Sequence, residues 1–132
     1  MSSSEDPDYI AELFAAFGPV KVRRMFGGAG LFADALMIGL VDNGVIYLKA
    51  DEHTIPAFER ESLGPFTYET KSGTHTLASY WRMPERLNDD SDELARWARQ
   101  ALDVAQRTAQ RKSSVRQPRA QTKPGRKRAS RK

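Results

Sequence analysis

The sequence predicts an α+β domain: an antiparallel sheet of about five strands packed with N-terminal, short middle and long C-terminal helices, then a disordered basic tail. Three observations carry this. Asn43-Gly44 stands between two apolar runs, the strongest short-range hairpin signal in the chain, because both residues accept the positive φ of a type I′ turn. Apolar residues recur at helical spacing near both ends of the acidic part. From Arg107 to Lys132 there are eleven Lys or Arg and no Asp or Glu.

Asp6 before Pro7 is a helix start, and Tyr9, Ile10, Leu13, Phe14 and Phe17 give the helix one apolar face until Gly18-Pro19 ends it. Val20 and Val22 alternate with Lys21 and Arg23 as a short strand. The alternation slips at Arg24-Met25-Phe26, which predicts a bulge or the strand's end, since continued register would turn Arg24 to the valine face. Gly27-Gly28-Ala29-Gly30 reads as a sharp turn, and Leu31 to Ala33 as the next strand. After a break at Asp34, Leu36 to Val41 is apolar on both faces, so it is the expected central strand, with Gly39 marking a close approach.

Val45 to Ala50 follows the hairpin turn, with Ile46 and Leu48 directed to the core. A short helix with apolar contacts from Ile55, Phe58 and Leu63 stops at Gly64-Pro65. Phe66 to Thr70 and Thr76 to Met83 then form a second hairpin around Lys71-Ser72-Gly73-Thr74. Asp90 caps the longest helix, whose buried stripe is Leu94, Trp97, Ala98, Ala101, Leu102 and Ala105, with Asp92–Arg96 and Asp103–Arg107 spaced as ion pairs. Its periodicity ends near Ala109. From Arg111 onward too little apolar surface remains to offset backbone ordering of roughly 1 to 2 kcal/mol per residue, so disorder is expected. The divisions are thus a flexible 1–7, a folded 8–106 and a basic 107–132.

Of the 132 residues, 21 are Lys or Arg and 17 Asp or Glu, so the part before Arg107 carries 10 − 17 = −7 and the tail +11. An acidic body with a cationic extension suggests contact with a polyanion. There is no cysteine, which removes disulfides, thiolate catalysis and thiolate zinc sites, and no apolar run approaches a membrane span. With no export signal at the amino terminus, a cytoplasmic protein is expected, nucleoid-associated if the tail engages DNA.

Reactive groups are sparse. The glycine segment lacks the Lys-Ser or Lys-Thr of a phosphate loop, and a strand follows it where a dinucleotide fingerprint requires a helix. His53 and His75 have no neighbouring ligand cluster, and Asp89, Asp90, Asp92 and Glu93 suit helix capping better than a calcium loop. No serine sits in a nucleophile elbow. Neither catalytic residues nor a cofactor or metal site are expected. Tyr80, Trp81 and Arg82 place two aromatics beside a cation, which suits base stacking, yet strand alternation turns one ring to the core and packing is the simpler account.

Several segments, taken together and in order, resemble the TfoX amino-terminal domain family: Arg23-Arg24-Met25-Phe26-Gly27-Gly28-Ala29-Gly30-Leu31-Phe32, Met37-Ile38-Gly39-Leu40-Val41, Tyr47-Leu48-Lys49, Gly64-Pro65-Phe66-Thr67-Tyr68, Ser79-Tyr80-Trp81 and the Trp97 helix. The resemblance covers roughly Asp8 to Ala105. It implies a compact α+β domain in bacterial proteins whose namesakes promote transcription of competence genes together with the cyclic-AMP receptor protein. The namesakes continue into a helical second domain, whereas a basic tail follows here.

The expected function is a non-catalytic, transcription-associated regulator that binds an unidentified protein partner, such as transcription machinery, and no membrane. Arg23, Arg24, Gly27, Gly28 and Tyr80 are the candidate partner-binding residues. The tail cations Arg107, Arg111, Lys112, Arg116, Arg119, Lys123, Arg126, Lys127, Arg128, Arg131 and Lys132 are the candidate nucleic-acid-binding residues, able to follow phosphates without reading bases. The alternative is a protein-interaction module whose tail only solubilises it.

Overall fold

A computed structural model describes residues 6–25 and 28–116, and for 112–116 the backbone only. Helix α1 (Pro7–Leu13) is capped by Asp6, whose carboxylate accepts the Asp8 N–H at 2.9 Å. Strands β1 (Lys21–Met25), β2 (Gly28–Ala33), β3 (Leu36–Asp42) and β4 (Val45–Lys49) lead to α2 (Ile55–Arg60). Strands β5 (Pro65–Thr70) and β6 (Gly73–Arg82), a 3-10 helix (Glu85–Asp89) and α3 (Ser91–Arg116) complete the chain. The six strands form one antiparallel sheet in the order β1-β2-β3-β4-β6-β5.

Both two-residue turns of the first meander have positive φ at both positions, Asp34 (51°) with Ala35 (64°) and Asn43 (52°) with Gly44 (81°). That backbone twist matches the strands it joins, so these turns set the register on either side of β3. The Asn-Gly turn was legible. The Asp-Ala turn was seen only as a break, because alanine carries no turn signal.

Two expectations need correction. Gly28 to Gly30 are strand, not turn, and only 26–27 connect β1 to β2, outside the described residues. No bulge occurs at Arg24, which pairs in register with Ala29 and shares the face of Val22. As β1 is the edge strand, a cation on that face still reaches water. The bulge lies instead between β2 and β3, where Ile38 is the extra residue, fully buried. The six strands agree with the expected antiparallel sheet of about five, and the Leu31 to Ala33 stretch extends back to Gly28.

Every helix covers the same face of the sheet. Ile10 of α1 and Phe14 at its C-cap, Phe58 of α2, Leu87 of the 3-10 helix, and Leu94, Ala98, Ala101 and Ala105 of α3 pack on Leu31, Ile38, Val41, Ile46 and Leu48. Burial of each large side chain in this layer contributes about 1.5 to 3 kcal/mol. Phe58 meets Trp97 edge-on at 5.0 Å and tilts toward Trp81 at 6.1 Å, which locks the short α2 between β6 and α3. The alanines of the α3 stripe let the helix axis approach β3 and β4 closely.

Helix α3 runs to Arg116, past the expected end near Ala109. A helix of Lys, Arg, Gln and Ser gains one backbone bond per added residue once nucleated, and its terminal cations favour the negative end of the dipole. Apolar periodicity marks where a helix is packed; it does not mark where it stops. The first helical turn follows expectation: Asp90 accepts the Glu93 N–H at 3.1 Å. The Glu93 carboxylate, however, does not return to the cap. It accepts bonds from Arg86 at 2.9 Å and from the Trp97 indole at 3.2 Å, while Arg86 also donates from Nε to Glu61 at 3.0 Å.

The Arg86 guanidinium thus ties the end of α2 to the start of α3. Its hydrogen bond, followed by that of Trp97, holds the Glu93 carboxyl at about 2 against an ordinary 4.5. A carboxyl depressed in the folded state contributes stability above its unfolded pKa and loses it as pH falls through the folded value. We therefore expect wild-type stability to decline between about pH 4.5 and 2 through this clamp, and Glu93→Gln to flatten that decline in urea titrations compared across pH.

Candidate partner-binding face

Residues opposite one another in an antiparallel ladder share a face. The registers therefore align Arg23, Gly30, Leu40, Tyr47 and Arg82 in one row on the face away from the helices. Lys21, Phe32 and Met37 occupy the adjacent positions on β1 to β3, as do Lys49 and Tyr80 on β4 and β6. Asp42 is the acid on this side of the first four strands. An otherwise acidic body shows four cations on this face.

The β5–β6 register jumps from Pro65↔Trp81 to Phe66↔Leu77, leaving three extra residues on β6. The bend carries the distal hairpin over the helix-free face. Phe66 consequently meets Tyr47 edge-on at 4.9 Å, and Leu77 joins Met25, Met37, Leu40 and Phe66 around a groove of about 190 Å³. The exposed large hydrophobics among the described residues are Met25 (43%), Tyr68 (44%) and Leu77 (37%). Two of the three border the groove, and Tyr68 stacks on Phe66 beside it. Exposed apolar side chains gathered in one place are the mark of a contact surface.

Glycine makes the groove possible. A Cβ on Gly28 would lie 2.2 Å from the Val41 carbonyl oxygen, whereas on Gly30 it would meet the Met25 sulfur at 2.7 Å and the Phe32 ring at 2.9 Å. Gly28 thus seats β2 against β3, and Gly30 leaves the hollow that the side chains of Met25, Phe32 and Met37 fold over.

Of the expected partner-binding residues, Arg23 and Gly28 lie on this face, with the Arg23 guanidinium 5.1 Å from the centre of the Phe32 ring. Arg24 is exposed but faces the helix side of the β1 edge. Gly27 lies outside the described residues. Tyr80 needs correction: it is 7% exposed, the Lys49 ammonium sits 4.9 Å from its ring centre, and burial pushes its phenol up to about 12. It supports Lys49 and offers no ring to a partner. Nor does Trp81, whose indole donates to the Ala78 carbonyl at 2.9 Å and packs beside Phe58.

Among the expected nucleic-acid contacts, Arg107 proves to be part of the folded body. It donates from Nε and Nη2 to Asp51 at 3.2 and 2.9 Å, where Asp103, four residues earlier, was the expected partner. Burial alone would raise the Asp51 carboxyl; the bonds from Arg107 and from the His53 N–H outweigh it and hold it below its usual range. Arg111 is exposed on α3, and Lys112 and Arg116 fall within the same helix. Arg119, Lys123, Arg126, Lys127, Arg128, Arg131 and Lys132 lie outside the described residues; the disorder expected from Arg111 onward is corrected for 111–116, which continue α3, and the rest of it also lies outside the described residues.

His75 is held at the second hairpin by Thr70 and Ser72 hydroxyls, 2.8 and 3.0 Å from its Nε2. Among the described residues no cluster of three or more His, Asp or Glu could hold a metal ion. No described helix is long and apolar enough to cross a membrane. The groove is smaller than the roughly 300 to 1,000 Å³ of a small-molecule site. Sequence reasoning missed Met37, Leu40, Phe66 and Leu77. The available signal was Leu36 to Val41, apolar on both faces in a chain whose helices suffice to cover one.

The fold is a two-layer antiparallel α+β domain with an apolar groove on the sheet face away from its described helices. Residues 12–105 match the family model described as the TfoX N-terminal domain, and the chain belongs to that family. It is 29% identical over 94 residues to "Protein Sxy" of Escherichia coli (strain K12), a match covering 71% of this chain and 44% of that protein. The chain therefore spans less than half the length of this relative.

The two glycines yield separable expectations. Gly28→Ala drives a Cβ into backbone and should cost about 3 kcal/mol or more, while Gly30→Ala displaces only flexible side-chain ends and should cost about 1 kcal/mol, read from urea midpoints.

Proposed function

We propose that this protein is a non-catalytic regulator of the competence-regulator type, in which the TfoX N-terminal domain engages a protein partner and the basic tail holds nucleic acid. The observation that carries this reading is the charge division: the tail has eleven cations and no acid, on a body of net −7. Membership of a family named for a competence regulator supports the regulatory half. A location in the cytoplasm, next to DNA, accompanies this proposal.

Physically the two parts do different work. A polycation spaced by Pro and Gly gains affinity by releasing counterions from phosphates and carries no sequence preference. Specificity then has to come from what the folded domain touches. Arg107, bound to Asp51, is excluded from the phosphate-binding set, and helix α3 makes Arg111, Lys112 and Arg116 a rigid lead into the tail.

Removal of residues 117–132 takes away seven cations and leaves the whole described domain. For the full chain on duplex DNA, seven phosphate contacts give a slope of log affinity against log salt of about −6, at about 0.9 per phosphate. The shortened chain should keep its melting temperature and lose most of that slope in fluorescence anisotropy. Unchanged affinity and slope would overturn the nucleic-acid half of the proposal.

A further inference from the structure

The groove on the helix-free face has a definite chemistry. Its walls are thioether and aliphatic, from Met25, Met37, Leu40 and Leu77, with Phe66 at one end. Asp42 lines one end of it, and Lys21 and Arg23 stand beside it along β1 by register, while Lys49 and Arg82 lie farther along the same face. Methionine-lined surfaces accept apolar side chains of differing shape, because the unbranched thioether repacks at low cost. Surroundings in which cations outnumber acids favour an occupant of negative charge and steer its approach.

We propose that this groove binds a short acidic segment of a partner protein, inserting one or two large apolar side chains between Met25, Met37 and Leu77 while its carboxylates meet the cationic rim. This rests on the protein-contact half of the proposed function and names the chemistry of the contact. A volume of about 190 Å³ takes side chains and falls short of a cofactor.

Single-stranded nucleic acid is the competing occupant of a basic sheet face, and the ring geometry disfavours it. Base stacking needs an aromatic face that is open. Here Tyr47 and Phe66 meet edge to face at 4.9 Å, Phe66 stacks on Tyr68 at 5.8 Å, and Tyr68 stacks on His75 at 5.4 Å. The Phe32 ring is covered by Arg23 and Tyr80 by Lys49. The rings on this face are occupied by one another or by the protein's own cations. Tyr68 is exposed but stacked against Phe66 and His75, and the other exposed large hydrophobics, Met25 and Leu77, suit an apolar side chain.

The test is selection of a phage-displayed random 12-residue peptide library on the full chain, with excess synthetic peptide of residues 111–132 in solution to absorb ligands of the tail. Selected peptides should combine Asp or Glu with Leu, Ile, Phe or Met. As free peptides they should lose about tenfold or more in affinity on the Met25→Glu/Leu77→Glu double variant and about threefold on Arg23→Ala. Both positions of the double variant are exposed, so the fold should persist by circular dichroism. The proposal is overturned if no peptides are enriched, if those enriched lack acids, or if the double variant binds them equally well. Oligothymidine that displaces the peptides and fails to bind the double variant would also overturn it, giving the face to single strands. Duplex DNA binding by the same variants should stay unchanged; its loss upon deleting 117–132 tests the tail separately, so either half can fail alone.

Discussion

The constraint on which this structure depends is one-sided cover. A sheet of six antiparallel strands has two faces, and all its helices lie on one of them. Two-residue turns between neighbouring strands force this arrangement in the first meander, since they leave no chain to cross over the other side. The longer connections, after β4 and after β6, both deliver helices to the same layer. Gly39 and the alanines of α3 let that layer close tightly over β3 and β4.

The opposite face is then left with side chains that water does not favour. Leu40 in its middle is only 8% exposed, shielded by its neighbours and by the bent β5–β6 hairpin. The fold solves half the burial problem internally, by curling Phe66 and Leu77 back, and leaves a groove where the curl ends. Lys21 and Arg23 protect β1 as an edge strand.

A second division runs along the chain. The folded part holds nearly all the acids, and several are spent within the fold: Glu61 and Glu93 on Arg86, Asp51 on Arg107, Asp90 on a helix cap. Tail cations beyond α3 have no acids of their own segment to meet. The long helix joins the two regimes, its early turns packed by alanine and leucine and its last turns polar.

Much of the fold was legible because it follows from local chemistry. The Asp6 and Asp90 caps, the Asn43-Gly44 turn, the inward Ile46 and Leu48 and the α3 stripe each depend on residues within one turn or one strand. The face was not legible to the same degree. Arg23 and Gly28, which lie on this face, sit in one dense motif, yet Met25, Met37, Leu40, Phe66 and Leu77 come from four strands and carry no shared pattern. Tyr80 failed as a contact residue because strand alternation tells which side a ring takes and says nothing of what lies over it. Arg107 failed as a tail residue because its partner, Asp51, is 56 positions away. The sequence alone determined the class of fold, the charge division and the scarcity of reactive groups, all of which depend on composition and short-range periodicity. Tertiary structure decided the helix-free face, its groove and the pairing of individual charges, because each depends on register between strands distant in the chain and on a bend that no local signal announces.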